Sequence, residues 1–202
     1  MLKEALPKGG KRNHIALSIG WRDDSNFLGL IGSFVKSQVE KDITILSIEI
    51  REINEMKLKE LLTYYIKQNY FDQNKIKVSF IGKWYDLPGE LVSIIKEYIT
   101  NTKEYTHFFL NFVVNYDGQE EIVDACRILC RQIIGEKIDV ENITKDGIKE
   151  NLYTSYFIPP EIIISDNKEK KINGFFLWDS YHSEIRFVER FDTSVFKEIF
   201  SI

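Results

Sequence analysis

The chain has 202 residues, with 27 Lys plus Arg against 31 Asp plus Glu and a formal net charge of -4, so it carries neither the basic footprint of a nucleic-acid binder nor a polybasic membrane anchor. With 44% hydrophobic and 29% charged residues, it has the composition of a soluble globular protein and the length of one domain, residues 1–202. Its two cysteines, Cys126 and Cys130, are too few for a disulfide framework and fit a reducing compartment. Four apart, they share one helix face and read as small core hydrophobes, since no His or further Cys stands at metal-ligand spacing.

The opening MLKEALPKGGKRN lacks the apolar core of a secretory signal, and no apolar run reaches the length of a membrane span, so the expected location is the cytoplasm. His14 to Ile19, closed by Gly20, reads as a strand buried on both faces. A polar loop, Trp21 to Asn26, follows. Phe27, Leu28, Ile31, Phe34, Val35 and Val39 then recur at helical spacing. Ile43 to Ile50, rich in Ile, is the second strand. Met56, Leu58, Leu61, Leu62, Tyr65 and Ile66 mark a second helix, and Ile76 to Ile81 a third strand closed by Gly82. Asp86 reads as an N-cap, with Pro88 in the first turn of a helix that buries Leu91, Ile94, Ile95 and Tyr98.

His107 to Val114 is a fourth buried strand, Asn115 to Gly118 a turn, and Ile122, Cys126, Leu129 and Ile133 define the next helix. A shorter helix is expected over Lys145 to Thr154, and the last strands over Ile162 to Ile164 and Ile185 to Glu189. His14 and His107 lie in apolar strands and read as satisfied core histidines; Trp178, in an aromatic run, reads as core or interface. Strands alternating with helices predict an α/β fold with an open, largely parallel sheet flanked by helices. Ligands bind beyond the carboxyl ends of such strands. The loops to inspect are therefore Gly20 to Asn26, Ile50 to Met56, Asn115 to Gln119 and Ser165 to Gly174. No nucleophile–His–acid arrangement and no phosphate-binding Gly-rich loop is present.

Four stretches carry a resemblance. They are Val78-Ser79-Phe80-Ile81-Gly82 followed by Asp86-Leu87-Pro88; Leu110-Asn111-Phe112 through Asn115-Tyr116-Asp117-Gly118 to Glu120-Glu121-Ile122; Leu152-Tyr153-Thr154 with Ile158-Pro159-Pro160; and Phe175-Phe176-Leu177-Trp178 through Ser183-Glu184-Ile185-Arg186-Phe187. In this order and with these gaps, Lys77 to Phe187 resembles the cis-prenyltransferases, the undecaprenyl diphosphate synthase family. The resemblance implies that family's open sheet, an apolar tunnel for a prenyl chain, and a dimer through the late helices and the Phe-rich segment. It also implies isoprenoid diphosphate ligands and magnesium.

The departures concern chemistry. Where the family carries H-V-A-I-I-M-D-G-N-R-R, this chain reads His14-Ile15-Ala16-Leu17-Ser18-Ile19-Gly20-Trp21-Arg22-Asp23-Asp24. Gly20 replaces the family's magnesium-binding Asp, and Asp23 and Asp24 replace an arginine pair. The family's F-S-T-E-N-W falls near Glu49 to Asn54, with Glu52 its one survivor. The late R-T-S-G-E-x-R-x-S motif, which grips isopentenyl diphosphate, reads Ser165 to Asn173, with Lys171 for the second arginine. Lysine keeps a charge but loses the bidentate fork.

Asp23 and Asp24 are the candidate catalytic acids, and with Glu184, which matches a family magnesium ligand, the candidate Mg2+ site. Against this stands a solvated acidic loop. Arg22, Lys168, Lys170, Lys171 and Asn115 are the candidate substrate-binding residues, against a solvated basic loop for the lysines and a turn-shaping role for Asn115. Ordinary chain elongation is not expected. The leading expectation is an atypical magnesium-dependent terpene synthase or cyclase acting on an isoprenoid diphosphate, most simply as a homodimer. Next comes a noncatalytic subunit forming a heterodimer with an active cis-prenyltransferase, then a prenyl-lipid-binding protein.

Overall fold

A computed structural model describes residues 13–23, 26–192 and 195. Chain order is β1 (His14–Gly20), α1 (Phe27–Glu40), β2 (Ile45–Arg51), α2 (Glu55–Gln68), α3 (Tyr70–Gln73), β3 (Ile76–Ile81), α4 (Gly89–Thr102), β4 (Phe108–Val113), α5 (Gly118–Ile134), α6 (Lys145–Lys149), β5 (Ile162–Ser165) and β6 (Glu184–Phe187). The strands form one sheet in the order β3-β4-β2-β1-β5-β6, and every neighbouring pair is parallel. This is the open parallel sheet that the alternation predicts.

Local chemistry sets the ends of the helices. Asn54 caps α2 by accepting from the Lys57 N–H, and Asp117 caps α5 by accepting from the N–H groups of Gln119 and Glu120. Asn69 adopts left-handed backbone and stops α2, so that α3 follows as a separate turn that hydrophobic spacing does not reveal. Asp86 ends a short 3₁₀ turn instead of capping a helix, and Pro88 takes the N-cap position of α4. The late helix stops at Lys149, short of the expected Thr154.

Period-two alternation gives the sheet two unlike faces. One carries Ile15, Leu17, Ile19, Leu46, Ile48, Phe80, Leu110, Phe112, Ile162 and Ile164, packed under Phe27, Phe34, Leu62, Tyr65, Phe71 and Tyr98 of α1–α4. The other carries a small apolar cluster, Ala16, Ile81, Val113 and Ile163 with Phe175 and Phe176. Beside that cluster lie the buried polar residues His14, Ser18, Ser47, Asn111 and Ser165.

A polar network fastens the 145–181 segment over this second face. Glu121 of α5 accepts from the Tyr116 hydroxyl at 2.7 Å and the Thr154 N–H at 3.1 Å. Lys149 meets Asp179 at 2.6 Å, and the Tyr153 hydroxyl donates to Asp124. At Gly118 the two segments touch so closely that an added Cβ would lie 2.2 Å from the Gly174 carbonyl oxygen. Gly82, at φ 106°, turns under the Val114 carbonyl, where a Cβ would sit 2.3 Å away.

His14 is the satisfied core histidine expected: its ring nitrogens meet the Ile158 carbonyl at 2.6 Å and the Ser47 hydroxyl at 2.8 Å. His107 is not. It precedes β4, its side chain is 70% exposed, and it meets Asp42 at 3.4 Å. Cys126 and Cys130 are also exposed. The inner face of α5 belongs to Glu121, Ala125 and Leu129, which turns positions 126 and 130 outward. Among the described residues, no helix is long and apolar enough to cross a membrane.

Candidate functional site

Strand order reverses at β1. Its neighbours are β2, reached through α1, and β5, which arrives after the rest of the sheet is built. A crevice at the carboxyl end of such a switch point is where open α/β sheets hold ligands. The register places Arg51 beside Gly20, and both Glu49 and Ser165 beside Ser18. Four polar side chains and one missing side chain thus meet at one end of three strands.

Arg51 organises them. Its Nη1 donates to the Ser18 carbonyl at 2.6 Å, the Ser18 hydroxyl at 2.7 Å and the Ser165 hydroxyl at 3.1 Å. Its Nη2 donates to Asp166 Oδ1 at 2.6 Å. The same carboxylate oxygen accepts from the Gly20 N–H at 2.8 Å. The ion pair is nearly closed to solvent, at 17% and 9% side-chain exposure, so water screens it little. Ser18 in turn donates to Glu49 Oε2 at 2.5 Å. Burial pushes the Glu49 carboxyl above the usual range, against the opposing pull of Ser18 and Arg51.

This cluster occupies the place that the resemblance gives to a magnesium-binding acid. A Cβ on Gly20 would lie 3.4 Å from Arg51 Nη2 and 3.6 Å from Asp166 Oδ1. A Cβ there would only touch the guanidinium in ordinary contact, but the nearest carboxylate is already bonded to that guanidinium. The residues present do not fit a magnesium ion at this position.

The other two candidate acids among the described residues, Asp23 and Glu184, do not gather around one point. Asp23 lies beyond the carboxyl end of β1, 77% exposed, with Lys57 3.5 Å away. Asp24 lies outside the described residues. Glu184 opens β6, level with Ile162 and hence with Ile15 of β1. Five residues at about 3.3 Å each put it roughly 16 Å down the sheet from Gly20. It faces Arg186 at 2.6 Å. Among the described residues, no three His, Cys, Asp or Glu side chains cluster as a metal site would require.

The candidate substrate-binding residues divide similarly. Arg22 reaches the rim of the same end: its Nη2 donates to the Phe191 carbonyl at 3.0 Å and its guanidinium lies 5.8 Å from the Phe27 ring centroid. It lines a groove of about 510 Å3 with Asn26, Leu30, Ser33 and Phe191. Lys168, Lys170 and Lys171 are all exposed on the loop directly after Asp166, and Lys171 pairs with Glu169 at 2.9 Å. Asn115, at φ 47°, has a structural bond: its Nδ2 donates to the Lys83 carbonyl at 3.0 Å.

Aromatic rings pack in sequence beneath α2–α4. Tyr65 to Phe71, Phe71 to Tyr98, Tyr98 to Phe80 and Phe80 to Phe112 are separated by 5.5, 5.6, 6.2 and 5.6 Å.

Comparison with known proteins gives a consistent result. The family described as putative undecaprenyl diphosphate synthase matches residues 46–198. An isoprenyl transferase of Clostridium tetani is 33% identical over 129 residues, covering 63% of this chain and 51% of the relative. A tritrans,polycis-undecaprenyl-diphosphate synthase (geranylgeranyl-diphosphate specific) of Thermoplasma volcanium is 34% identical over 122 residues, covering 60% and 47%. The chain thus spans about half the length of the curated relatives it matches.

Among solved structures, a probable undecaprenyl diphosphate synthase from Campylobacter jejuni superposes with a TM-score of 0.73 at 16% identity, covering 96% of this chain and 95% of that one. Lavandulyl diphosphate synthase from Lavandula x intermedia gives 0.72 at 18% identity, covering 95% and 94%. At these identities the likeness is one of fold.

Proposed function

The chain belongs to the undecaprenyl diphosphate synthase family, the cis-prenyltransferases, and we propose that it binds an isoprenoid diphosphate at the carboxyl ends of β1 and β5 without elongating it. The observation that carries this reading is the Arg51–Asp166 pair packed against Gly20. The site keeps its place at the switch point but has exchanged the acid for a neutralised ion pair. The ligand class is supported by the relatives, which are named as prenyl diphosphate synthases, and by the lavandulyl enzyme, whose structure is a complex with dimethylallyl diphosphate.

The magnesium-dependent terpene synthase reading ranks behind simple binding. It calls for an ion held by Asp23, Asp24 or Glu184, and the register of β6 takes Glu184 to the far end of the sheet from Asp23. One observation favours a second role, as a subunit beside another chain. α5 presents Val123, Cys126, Cys130 and Ile134 along a single exposed stripe. A second copy of this chain, or an active cis-prenyltransferase, is the partner proposed for that stripe.

The test is incubation with geranyl, farnesyl and geranylgeranyl diphosphates, with and without magnesium and isopentenyl diphosphate, following binding, phosphate release and organic products together. Binding without a longer diphosphate is expected. A magnesium-dependent longer product overturns the non-elongating reading. A hydrocarbon or alcohol product restores the terpene synthase.

A further inference from the structure

Resting on that reading, we infer that Arg51 stands in for the metal ion: its guanidinium receives the diphosphate oxygens directly, and binding at this site needs no magnesium. In a metal-dependent site a carboxylate holds a divalent cation, and the cation holds the phosphate oxygens. Here a carboxylate, Asp166, holds a guanidinium at 2.6 Å at the same end of the sheet. The order carboxylate, cation, anion is kept, but the cation is now part of the chain.

Three features make Arg51 suitable. Its orientation is fixed by four contacts from the ends of two neighbouring strands, β1 and β5, so little side-chain freedom is lost on binding. Arginine has five N–H donors. The two on Nη1 are engaged by Ser18 and Ser165 and one on Nη2 by Asp166, which leaves the Nε–H and the second Nη2–H without a partner among the described residues. Two such donors suit the bidentate grip of a phosphate.

The surroundings carry the right sign. The exposed Lys168 and Lys170 follow Asp166 on the adjoining loop, and Arg22 stands at the rim. A magnesium ion arriving here would meet a guanidinium where it needs a free carboxylate. A diphosphate would meet it as a counter-ion. Asp166 sets the strength of the site, because it competes with the ligand for the same guanidinium.

The experiment is calorimetric titration with inorganic pyrophosphate and with geranyl diphosphate, each in chelator and again in magnesium. It uses the unaltered chain, Arg51→Met and Asp166→Asn, with folding checked by circular dichroism. Both ligands are expected to bind in chelator, geranyl diphosphate the more tightly. Arg51→Met should weaken both by about tenfold or more, and Asp166→Asn should tighten both several-fold. Asp166→Asn keeps an acceptor for Arg51 and the Gly20 N–H, so its opposite sign decides the matter if Arg51→Met does not fold.

Binding that appears only with magnesium, and that Asp166→Asn leaves unchanged, overturns the inference and leaves the isoprenoid reading intact. Metal-free pyrophosphate binding of the predicted signs, with geranyl diphosphate no tighter, upholds the anion site and overturns the prenyl ligand. No binding of either compound overturns both.

Discussion

The two faces of the sheet solve the same packing problem with different materials. Under α1–α4 the strands meet large apolar side chains, and Phe27, Phe34 and Phe112 are fully buried there. Under α5 and the 145–181 segment the strands present Ser18, Ser47, Asn111 and Ser165, also buried but held by hydrogen bonds. The first arrangement is non-directional and derives its stability from area. The second depends on direction and pairing, and fails wherever one partner is removed. The difference teaches that the fold can rest on one face while the other carries the polar chemistry gathered beside Gly20.

The largest expected effect breaks the apolar face. Phe112→Ala should destabilise by about 4 kcal/mol in chemical denaturation, leaving Arg51-dependent pyrophosphate binding intact in the fraction that remains folded. On the polar face, Arg51→Met should lower stability by about 3 kcal/mol, because it strands the Asp166 carboxylate. Adding Asp166→Asn should recover most of that loss, since the stranded charge is removed while the Gly20 N–H keeps its acceptor. A double variant no more stable than the single one would mean that the pair does not act as a unit.

A third effect depends on pH. Burial pushes the His14 imidazole from its ordinary 6.5 down to about 4. Between those values the unfolded chain takes up a proton that the folded chain refuses. The stability contributed by neutral His14 is therefore present above 6.5 and lost as pH falls towards 4, by about 3 kcal/mol in all. His14→Gln should flatten that slope in denaturation curves measured across the window.

The smallest effect concerns the clasp over the polar face. Tyr153 donates to Asp124, and Tyr153→Phe should destabilise by about 1 kcal/mol without changing ligand affinity. A change in affinity would tie α5 to the site.

Much of this contrast is legible in the chain. The runs around His14–Gly20, Ile45–Arg51, Ile76–Ile81 and Phe108–Val113 announce buried parallel strands, because they are short, rich in Ile, Leu, Val and Phe, and separated by helical patterns. Attention falls on Gly20 as soon as the family resemblance is drawn. The ion pair that stands beside Gly20 is not visible. Arg51 and Asp166 are 115 residues apart, each looks like an ordinary polar residue at a strand end, and only the order β2-β1-β5 brings them together. Both fall in loops flagged by the carboxyl-end rule, so the signal was a flagged pair of loops flanking a strand that ends in glycine. Glu184 shows the converse: a motif match fixes position along the chain, whereas register fixes which end of the sheet a residue occupies.

The most direct test of the central claim is a nuclear magnetic resonance titration of the arginine Nε–H signals with inorganic pyrophosphate in chelator. The Arg51 signal, assigned by its loss in Arg51→Lys, is predicted to move downfield and saturate with the ligand. An Arg51 signal that stays fixed while pyrophosphate binds, or binding that waits for magnesium, would contradict the assignment of this guanidinium as the site's cation.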